Sequence, residues 1–315
     1  MKMRKEQQVF VVSFLAPAFF LYTAFVAFPS VRALLYSLQK WDGLSIPEWV
    51  GLRNFYDLFG DSDLFVAALQ HNLILMAFGG CFTLLLSLFF AALLHRRVRG
   101  ATLFRVTFFF PNVISSVAIS LLWVLLYSTT DFGVINGCLE LIQRALVSAN
   151  GHLSAWGLPQ LPVIPFDLPF PFAGTKYLIY SIVPMIIWMS TGFYMVLFLA
   201  AMENIPETFY EAATLDGATE FRKFWHITLP LIREVLTVGL VFLVIGCLKL
   251  FDAVWIMENQ WPQKESHVLA TVLYQKVFTE YNVGYGSAVA VLLFVLVFLS
   301  TLLTLRLSRK EAIEY

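Results

Sequence analysis

The chain has 315 residues, of which 59% are hydrophobic and only 13% are charged, and its mean hydropathy is +0.75. This composition excludes an ordinary soluble domain and indicates a protein embedded in lipid. Basic and acidic residues number 21 each, so the chain lacks the positive field that a nucleic-acid-binding protein needs. The three cysteines lie far apart without a C-x-x-C pair, which argues against a disulfide framework or a zinc site.

Six apolar segments are long enough to cross the hydrocarbon core of a bilayer, which takes about 20 helical residues. The sequence therefore predicts an all-α integral membrane protein with six transmembrane helices in a single domain over 1–315. The predicted spans are 9–28, 72–94, 107–127, 177–201, 234–257 and 286–305.

The basic residues give the orientation of these spans. Thirteen of the 21 Lys and Arg residues fall in the segments 1–8, 95–106, 202–233 and 306–315. Because basic residues accumulate on the cytoplasmic side of a membrane, we expect both termini to be cytoplasmic. The outer loop 128–176 then lies on the opposite side. Its segment 158–171 is dense in proline, which predicts an irregular cap to which the sequence assigns no role.

The inner loop 202–232 is long and is predicted to form two short helices. Asn204 can cap the first helix, and Glu207 three residues later completes a capping-box pattern. Gly217 can end this helix in a left-handed conformation, and Thr219 can cap the second.

The first of these helices has two interpretations. Ala212 and Ala213 form a small surface beside Glu211, which is typical of a helix that docks in a groove of a protein partner. Alternatively, the helix rests on lipid headgroups. Lipid-surface helices usually carry basic polar faces, whereas this one carries acidic residues such as Glu203 and Asp216, so the pattern favours a protein partner.

The segment Glu211-Ala212-Ala213, followed by Gly217, Ile227, Leu229 and Pro230, resembles the EAA loop of binding-protein-dependent ABC importer permeases. Further matches extend over most of the chain and resemble the carbohydrate branch, in particular the larger permease subunit of maltose-type and glycerol-phosphate-type systems. These matches are Leu15-Ala16-Pro17, Gly51-Leu52-Arg53-Asn54-Phe55, Pro111 with Val113-Ile114-Ser115, and Lys249 with Phe251 and Asp252.

The resemblance implies the type I ABC importer permease fold, in which the EAA loop forms a coupling helix seated in a cleft of an ATPase. Glu211 would pair there with a basic group. The implied partners are a second permease subunit, forming a heterodimer, an ATPase dimer and an extracytoplasmic solute-binding protein, in the cytoplasmic (inner) membrane of a prokaryote. The implied solute is a sugar or related polyol, with glycerol phosphate or another non-sugar solute as the alternative.

The energy source is expected to lie outside this chain. No Gly-Lys pair occurs in the sequence, so the chain lacks the usual phosphate-binding loop. We therefore predict a non-catalytic subunit without a cofactor of its own, with ATP and Mg bound by the partner ATPase. An intramembrane enzyme is disfavoured because the five histidines lie at span ends or in loops. An ion-coupled secondary transporter would need its own ion-coupling carboxylates, and Asp252 is the only acidic residue well inside a predicted span.

A sugar site needs polar groups and flat aromatic faces near the middle of the membrane. The fourth predicted span supplies four candidates near its middle. The resemblance adds Cys247 of the fifth, because in that family the solute lies near the middle of the spans on either side of the EAA loop, although Cys247 is a poor hydrogen-bonding group. Helix packing is the alternative for each. The candidates are Trp188, Ser190, Thr191, Tyr194 and Cys247.

Two ionisable residues in the fifth predicted span complete the candidate translocation path. Lys249 and Asp252 are three residues apart on one predicted helical face, so they can pair. Ionisable groups within a span are costly and are candidates for function. We predict a structural gate, with a direct solute contact as the alternative. In the third span, Pro111 is predicted to kink the helix, and Asn112 can satisfy a freed backbone group.

Overall fold

A computed structural model describes residues 5–60, 63–95, 100–156 and 159–308. Thirteen basic residues were used to predict the orientation. Seven of them lie outside the described residues, at positions 2, 4, 96, 97, 99, 309 and 310.

The described residues are mainly helical, and several helices are joined by π-helical turns. The α-helices are α1 Lys5–Tyr22, α2 Phe28–Tyr36, α3 Arg53–Gly60, α4 Asp63–Ile74, α5 Cys81–His95, α6 Ala101–Val113, α7 Ser116–Leu126, α8 Val134–Ala155, α9 Thr175–Glu203, α10 Glu207–Leu215, α11 Glu220–Lys223, α12 Leu229–Leu231, α13 Arg233–Leu248, α14 Asp252–Met257, α15 Leu269–Tyr274 and α16 Val283–Ser308. The π-helical turns are Thr23–Ala27, Leu75–Gly80, Phe224–Thr228 and Gln275–Thr279, and the strands are β1 Gln39–Lys40 and β2 Glu48–Trp49.

Within the described residues, five helical segments are long and apolar enough to cross a membrane. The pair α6 and α7 makes a sixth if it is counted as one broken span. The predicted all-α integral membrane fold is confirmed. The five segments are Phe10–Tyr36, Asp63–His95, Thr175–Glu203, Arg233–Met257 and Val283–Arg306.

The third predicted span, 107–127, is interrupted, but not at Pro111, where the sequence predicted a kink. α6 runs through the buried Pro111, and the axes of α6 and α7 differ by 96°. The break falls at Ile114 and Ser115, whose backbones are extended with ψ of 144° and 135°. Ile114 is β-branched, which slightly disfavours a helix, and Ser115 occupies the N-cap position of α7 without a side-chain capping bond. The side chain of Asn112 is exposed.

The described residues form two compact units where the sequence indicated one domain. The first unit comprises residues up to 66 together with 272–296, and the second comprises 67–271 with the residues after 296. In the first unit β1 and β2 pair antiparallel. The buried Asn54 side chain donates hydrogen bonds to the carbonyls of Ser37 and Gln39, both at 2.9 Å. This gives the Asn54 of the matched segment 51–55 a structural role.

The second unit is built around α9, which packs against α5 and α6. Gly192 permits this packing, because a Cβ atom there would lie 1.9 Å from the carbonyl oxygen of Phe108 on α6. One buried cluster surrounds the first half of α9, including Ile179 and Ile182, and a second surrounds its last turns, including Phe198. α9 is thus the central helix of the second unit.

The outer loop contains a helix that the sequence analysis did not predict. α8 spans 22 residues, and the irregular segment 159–171, which we call the proline strap, runs back along it. Three amide side chains spaced seven residues apart on α8, which we call the amide ladder, bond the backbone of the strap. The bonds join Asn136 to Phe170 (2.8 and 3.1 Å), Gln143 to the N–H of Ile164 (2.9 Å) and Asn150 to Leu161 (2.7 and 2.9 Å).

Candidate coupling site and translocation path

The first helix of the inner loop, α10, begins without the predicted capping box. Pro206 occupies the N-cap position with an extended backbone, and no side chain caps the helix there. The Asn204 amide instead donates to the carbonyl of Ala200 at the end of α9, at 3.0 Å. Pro206 explains the difference, because proline enforces a backbone suited to a helix start and has no N–H to satisfy. The prediction of an Asn204 cap is therefore wrong.

The end of α10 follows the predicted pattern. Gly217 has φ of +73°, in the left-handed region. The N–H of Ala218 bonds the carbonyl of Ala213 at 2.9 Å, and the N–H of Gly217 bonds that of Thr214 at 3.0 Å. These two bonds form a Schellman motif, which satisfies carbonyls left free at a helix end. Thr219 then caps α11 by accepting from the N–H of Arg222, so the predicted two-helix arrangement is present.

One face of α10 is open and combines acidic, small and apolar groups. The exposed residues Thr208, Glu211, Ala212 and Leu215 have the spacing of a single helical face. Leu215 is 90% exposed, which is unusual for a large apolar side chain at the end of a short surface helix. Sequence reasoning identified Glu211 and Ala212 but missed Leu215, although its position four residues after Glu211 was a usable signal.

The opposite face of α10 packs against the remainder of the second unit. The Tyr210 hydroxyl lies 2.9 Å from that of Thr228, and its ring packs against His95 at 5.6 Å. Ala213 is half-buried, as are Ile227 and Leu229 further along the loop, whereas Pro230 is exposed.

A cavity of about 1270 Å³ lies beside this attachment, among the ends of α5 and α6 and the inner loop. Its wall includes Arg105 on α6, whose guanidinium is paired with Glu203 at the end of α9. α10 thus contacts the end of α5 through Tyr210, and the start of α6 and the end of α9 are joined by the pair of Arg105 and Glu203.

The fifth span is also interrupted, which alters the predicted geometry of Lys249 and Asp252. α13 ends at Leu248 and α14 begins at Asp252, so the two ionisable residues do not share a helical face. Lys249 is exposed. The half-buried Asp252 accepts a hydrogen bond from the hydroxyl of Ser116. Ser116 is the first residue of α7, directly after the break in the third span, so the two breaks are joined by this bond.

Asn72 holds the end of α13 from another side. Its side chain is fully buried, and its amide nitrogen donates to the carbonyl of Cys247 at 2.7 Å. Its amide oxygen accepts from the N–H of Leu269 at 2.9 Å. A carbonyl freed by a helix break inside a membrane needs such a partner. The sequence analysis missed Asn72, and a lone amide in an apolar span was the available signal.

The other residues predicted for the translocation path differ in accessibility. Trp188 is 42% exposed and lies against Trp123, with ring centroids 6.3 Å apart. Thr191, Tyr194 and Cys247 are buried, and the last two belong to the core cluster around Phe198. Ser190 is half-buried. Thr191, Tyr194 and Cys247 therefore lie in the core, whereas Trp188 is accessible and Ser190 is partly so.

Comparison with known proteins gives the family. A family model described as the binding-protein-dependent transport system inner membrane component matches residues 83–312. The chain belongs to this family.

Similar curated proteins carry corresponding names. The permease is 31% identical to a diacetylchitobiose uptake system permease protein of Streptomyces coelicolor, with 93% of this chain and 80% of that protein covered. It is 29% identical to a probable ABC transporter permease protein of Pyrococcus horikoshii, with 93% of each covered. It is 27% identical to a multiple sugar-binding transport system permease protein of Streptococcus mutans, over 95% of this chain and 94% of that one.

A solved structure shares the fold of the permease. It is that of a bacterial alginate ABC transporter in complex with an alginate pentasaccharide-bound periplasmic protein. One of its chains matches with a TM-score of 0.75 at 20% identity, covering 98% of this chain and 96% of that one. The expected ABC importer permease fold is therefore confirmed. The protein is a multi-pass, non-catalytic membrane subunit of an ATP-binding-cassette importer.

Proposed function

We propose that this permease forms half of the translocation path for a sugar or related polyol. Two similar proteins, those of Streptomyces coelicolor and Streptococcus mutans, are named for the uptake of diacetylchitobiose and of multiple sugars. The accessible aromatic face of Trp188 supports the same class of solute, because flat rings pack well against sugar rings. Ser190 and Lys249 are the further accessible candidates for contact with the solute.

The assembly we propose contains a solute-binding protein on the outer side, a second permease subunit in the inner membrane and an ATPase dimer that binds ATP and Mg. The family description supports the binding protein and the inner membrane. The segment Phe10–Tyr36 supports a second subunit or surrounding lipid, because none of its most apolar stretch is buried within this chain.

The observation that carries the coupling role is the open face of α10. Glu211 and Ala212 match the EAA loop, and Leu215 extends this face with an exposed apolar group. A short helix with a fixed inner face and a mixed acidic and apolar outer face is suited to a groove in a partner protein. We propose that the groove belongs to the ATPase and that Ala213, Gly217, Ile227, Leu229 and Pro230 shape the loop that presents α10.

Replacement of one carboxylate tests this role. In the complex reconstituted in proteoliposomes, Glu211→Gln is expected to reduce solute uptake several-fold while basal ATP hydrolysis persists, because the paired charge at the groove is lost. Glu234→Gln, an exposed carboxylate in the first turn of α13, is the matched control. Equal uptake by the two variants would contradict the proposed coupling role.

An anionic solute such as glycerol phosphate is a second candidate, which the exposed Lys249 favours. A thermal-shift screen of the cognate binding protein against sugars, polyols and glycerol phosphates separates the two classes. Stabilisation by neutral sugars alone supports the first candidate, and stabilisation by glycerol phosphates alone supports the second.

A further inference from the structure

The polar side of α8 is hydrogen-bonded to other residues of the outer loop. The amide ladder of Asn136, Gln143 and Asn150 occupies one face of α8, since residues seven apart fall on the same side of a helix. The proline strap covers this face. Proline residues have no N–H, so the strap offers few donors, and the ladder engages those of Leu161, Ile164 and Phe170.

The opposite face of α8 is exposed and largely apolar. Helical spacing places one row of residues directly opposite the ladder, and every member of the row is exposed. Val134 is 57% exposed and Leu141 is 66% exposed. The members of the row are Val134, Cys138, Leu141, Ala145, Ser148 and His152.

Aromatic side chains flank this row at both ends of the helix. Phe132 precedes α8 and is 83% exposed, and Trp156 ends it and is 76% exposed. The only Asp, Glu, Lys or Arg residues within α8 are Glu140 and Arg144, which pair with each other at 3.3 Å. Aromatic residues beside an apolar row are typical of helices at a membrane surface.

The start of α8 is fixed where the third span ends. Asn136 donates to the carbonyl of Ser128 at 2.9 Å, and the adjacent Tyr127 is buried in the core of the second unit. α7 carries exposed apolar residues such as Leu122 and Leu125, so α8 begins next to the end of an apolar membrane-spanning segment. A helix attached there lies near the boundary between acyl chains and headgroups.

We infer that the exposed row of α8 lies on the outer leaflet of the bilayer, with the proline strap on the aqueous side. Lipid covers the row permanently, as so apolar a surface requires. A solute-binding protein that docks and leaves would use a more polar surface, because dissociating interfaces are about as polar as the remainder of a protein surface. This inference requires that the permease is inserted in a membrane with the loop 128–176 on the outer side.

Spin labelling of Cys138 tests the inference in the assembled complex in liposomes. Cys81 is the other exposed cysteine and Cys247 is buried, so Cys81→Ala directs the label to Cys138. Collision with molecular oxygen, which enters the acyl region, is compared with collision with a neutral, water-soluble nickel chelate. The matched control is Arg144→Cys in a Cys81→Ala, Cys138→Ala background, since position 144 is 76% exposed on the flank of the helix.

We expect the ratio of oxygen to nickel collisions at Cys138 to exceed that at position 144 several-fold, with Ala145→Cys resembling Cys138. Equal ratios at positions 138 and 144 would place the row in water and overturn the inference. Shielding of Cys138 from both reagents would show a protein contact and would also overturn it. Immobilisation of the Cys138 label only after addition of the binding protein would assign the row to that partner instead.

Discussion

At the scale of single residues, the inner loop depends on a backbone conformation at one glycine. Gly217 has φ of +73°, and no atom lies within 4 Å of the position that a Cβ would occupy. Substitution there is therefore opposed by backbone strain and not by crowding. The carbonyls at the end of α10 are satisfied only while this conformation is kept, which makes Gly217 the residue that sets the direction of the chain after α10.

We predict that Gly217→Ala disturbs coupling and that Gly217→Asn largely preserves it. Alanine in the left-handed conformation costs about 1 to 2 kcal/mol, whereas asparagine tolerates it better. Uptake and ATP hydrolysis are measured together in the reconstituted complex, and a several-fold fall in solute transported per ATP is expected for the alanine variant. If alanine and asparagine had the same effect, the backbone explanation would be wrong.

At the scale of elements, the third and fifth spans are both broken, and a hydrogen bond joins the two breaks. α13 follows the inner loop and ends at the break, where the amide nitrogen of Asn72 donates to the freed carbonyl of Cys247. α14 begins with Asp252, which is bonded to Ser116 at the start of α7. These bonds connect the end of α13 and the start of α14 to neighbouring helices, so we predict that a movement of α13 would reach the bend in the third span.

The bond between the two breaks can be tested by removing one hydroxyl. We expect Ser116→Ala to lower uptake and thermal stability, because a hydrogen bond to a charged group contributes about 1.5 to 3 kcal/mol. Ser116→Thr keeps a hydroxyl and should retain most activity. Ser154→Ala, at an exposed position on α8 away from both breaks, serves as the control.

A double-mutant cycle with Asp252→Ala completes this test. If Ser116 and Asp252 act through one bond, the double variant should lose little more than either single variant. Additive losses in the denaturation midpoint and in uptake would instead indicate independent roles.

A second prediction at this scale concerns the packing of α6 on α9. A Cβ at Gly192 would lie 1.9 Å from backbone of α6, whereas one at Gly246 would meet nothing within 4 Å. Gly192→Ala must therefore separate two helices and should cost several kcal/mol, above the roughly 1 to 3 kcal/mol of ordinary overpacking. Gly246→Ala, in the interior of α13, should be neutral or slightly stabilising. Thermal denaturation of the purified complex distinguishes them, and equal midpoints would contradict the predicted clash.

At the scale of the whole molecule, the permease is one subunit of an importer, and we expect a different subunit to hydrolyse ATP. The sequence has no Gly-Lys pair and thus no common phosphate-binding loop. We predict that the purified permease in lipid nanodiscs hydrolyses no ATP and that hydrolysis appears when the cognate ATPase is added. Activity that copurifies with the permease alone, after contaminating ATPases have been excluded, would contradict this division of roles.

The sequence by itself determined the membrane class, the family and the main structural features of the inner loop 202–232. Apolar length reports membrane insertion directly, because the thickness of the bilayer fixes the number of helical residues needed. Gly217 and Thr219 were predictable because local backbone geometry alone favours glycine in a left-handed position and threonine at an N-cap.

Only the tertiary structure decided where the spans break and which polar groups meet there. Asp252 lies three residues from Lys249, yet its partner is Ser116, 136 residues away in the chain. Asn72 similarly bonds Cys247, at a separation of 175 residues. Helical periodicity describes neighbours within one helix, whereas a break is stabilised by groups that other helices supply. The same reason explains the outer loop, because hydrogen bonds from the amide ladder on α8 hold the proline strap in place.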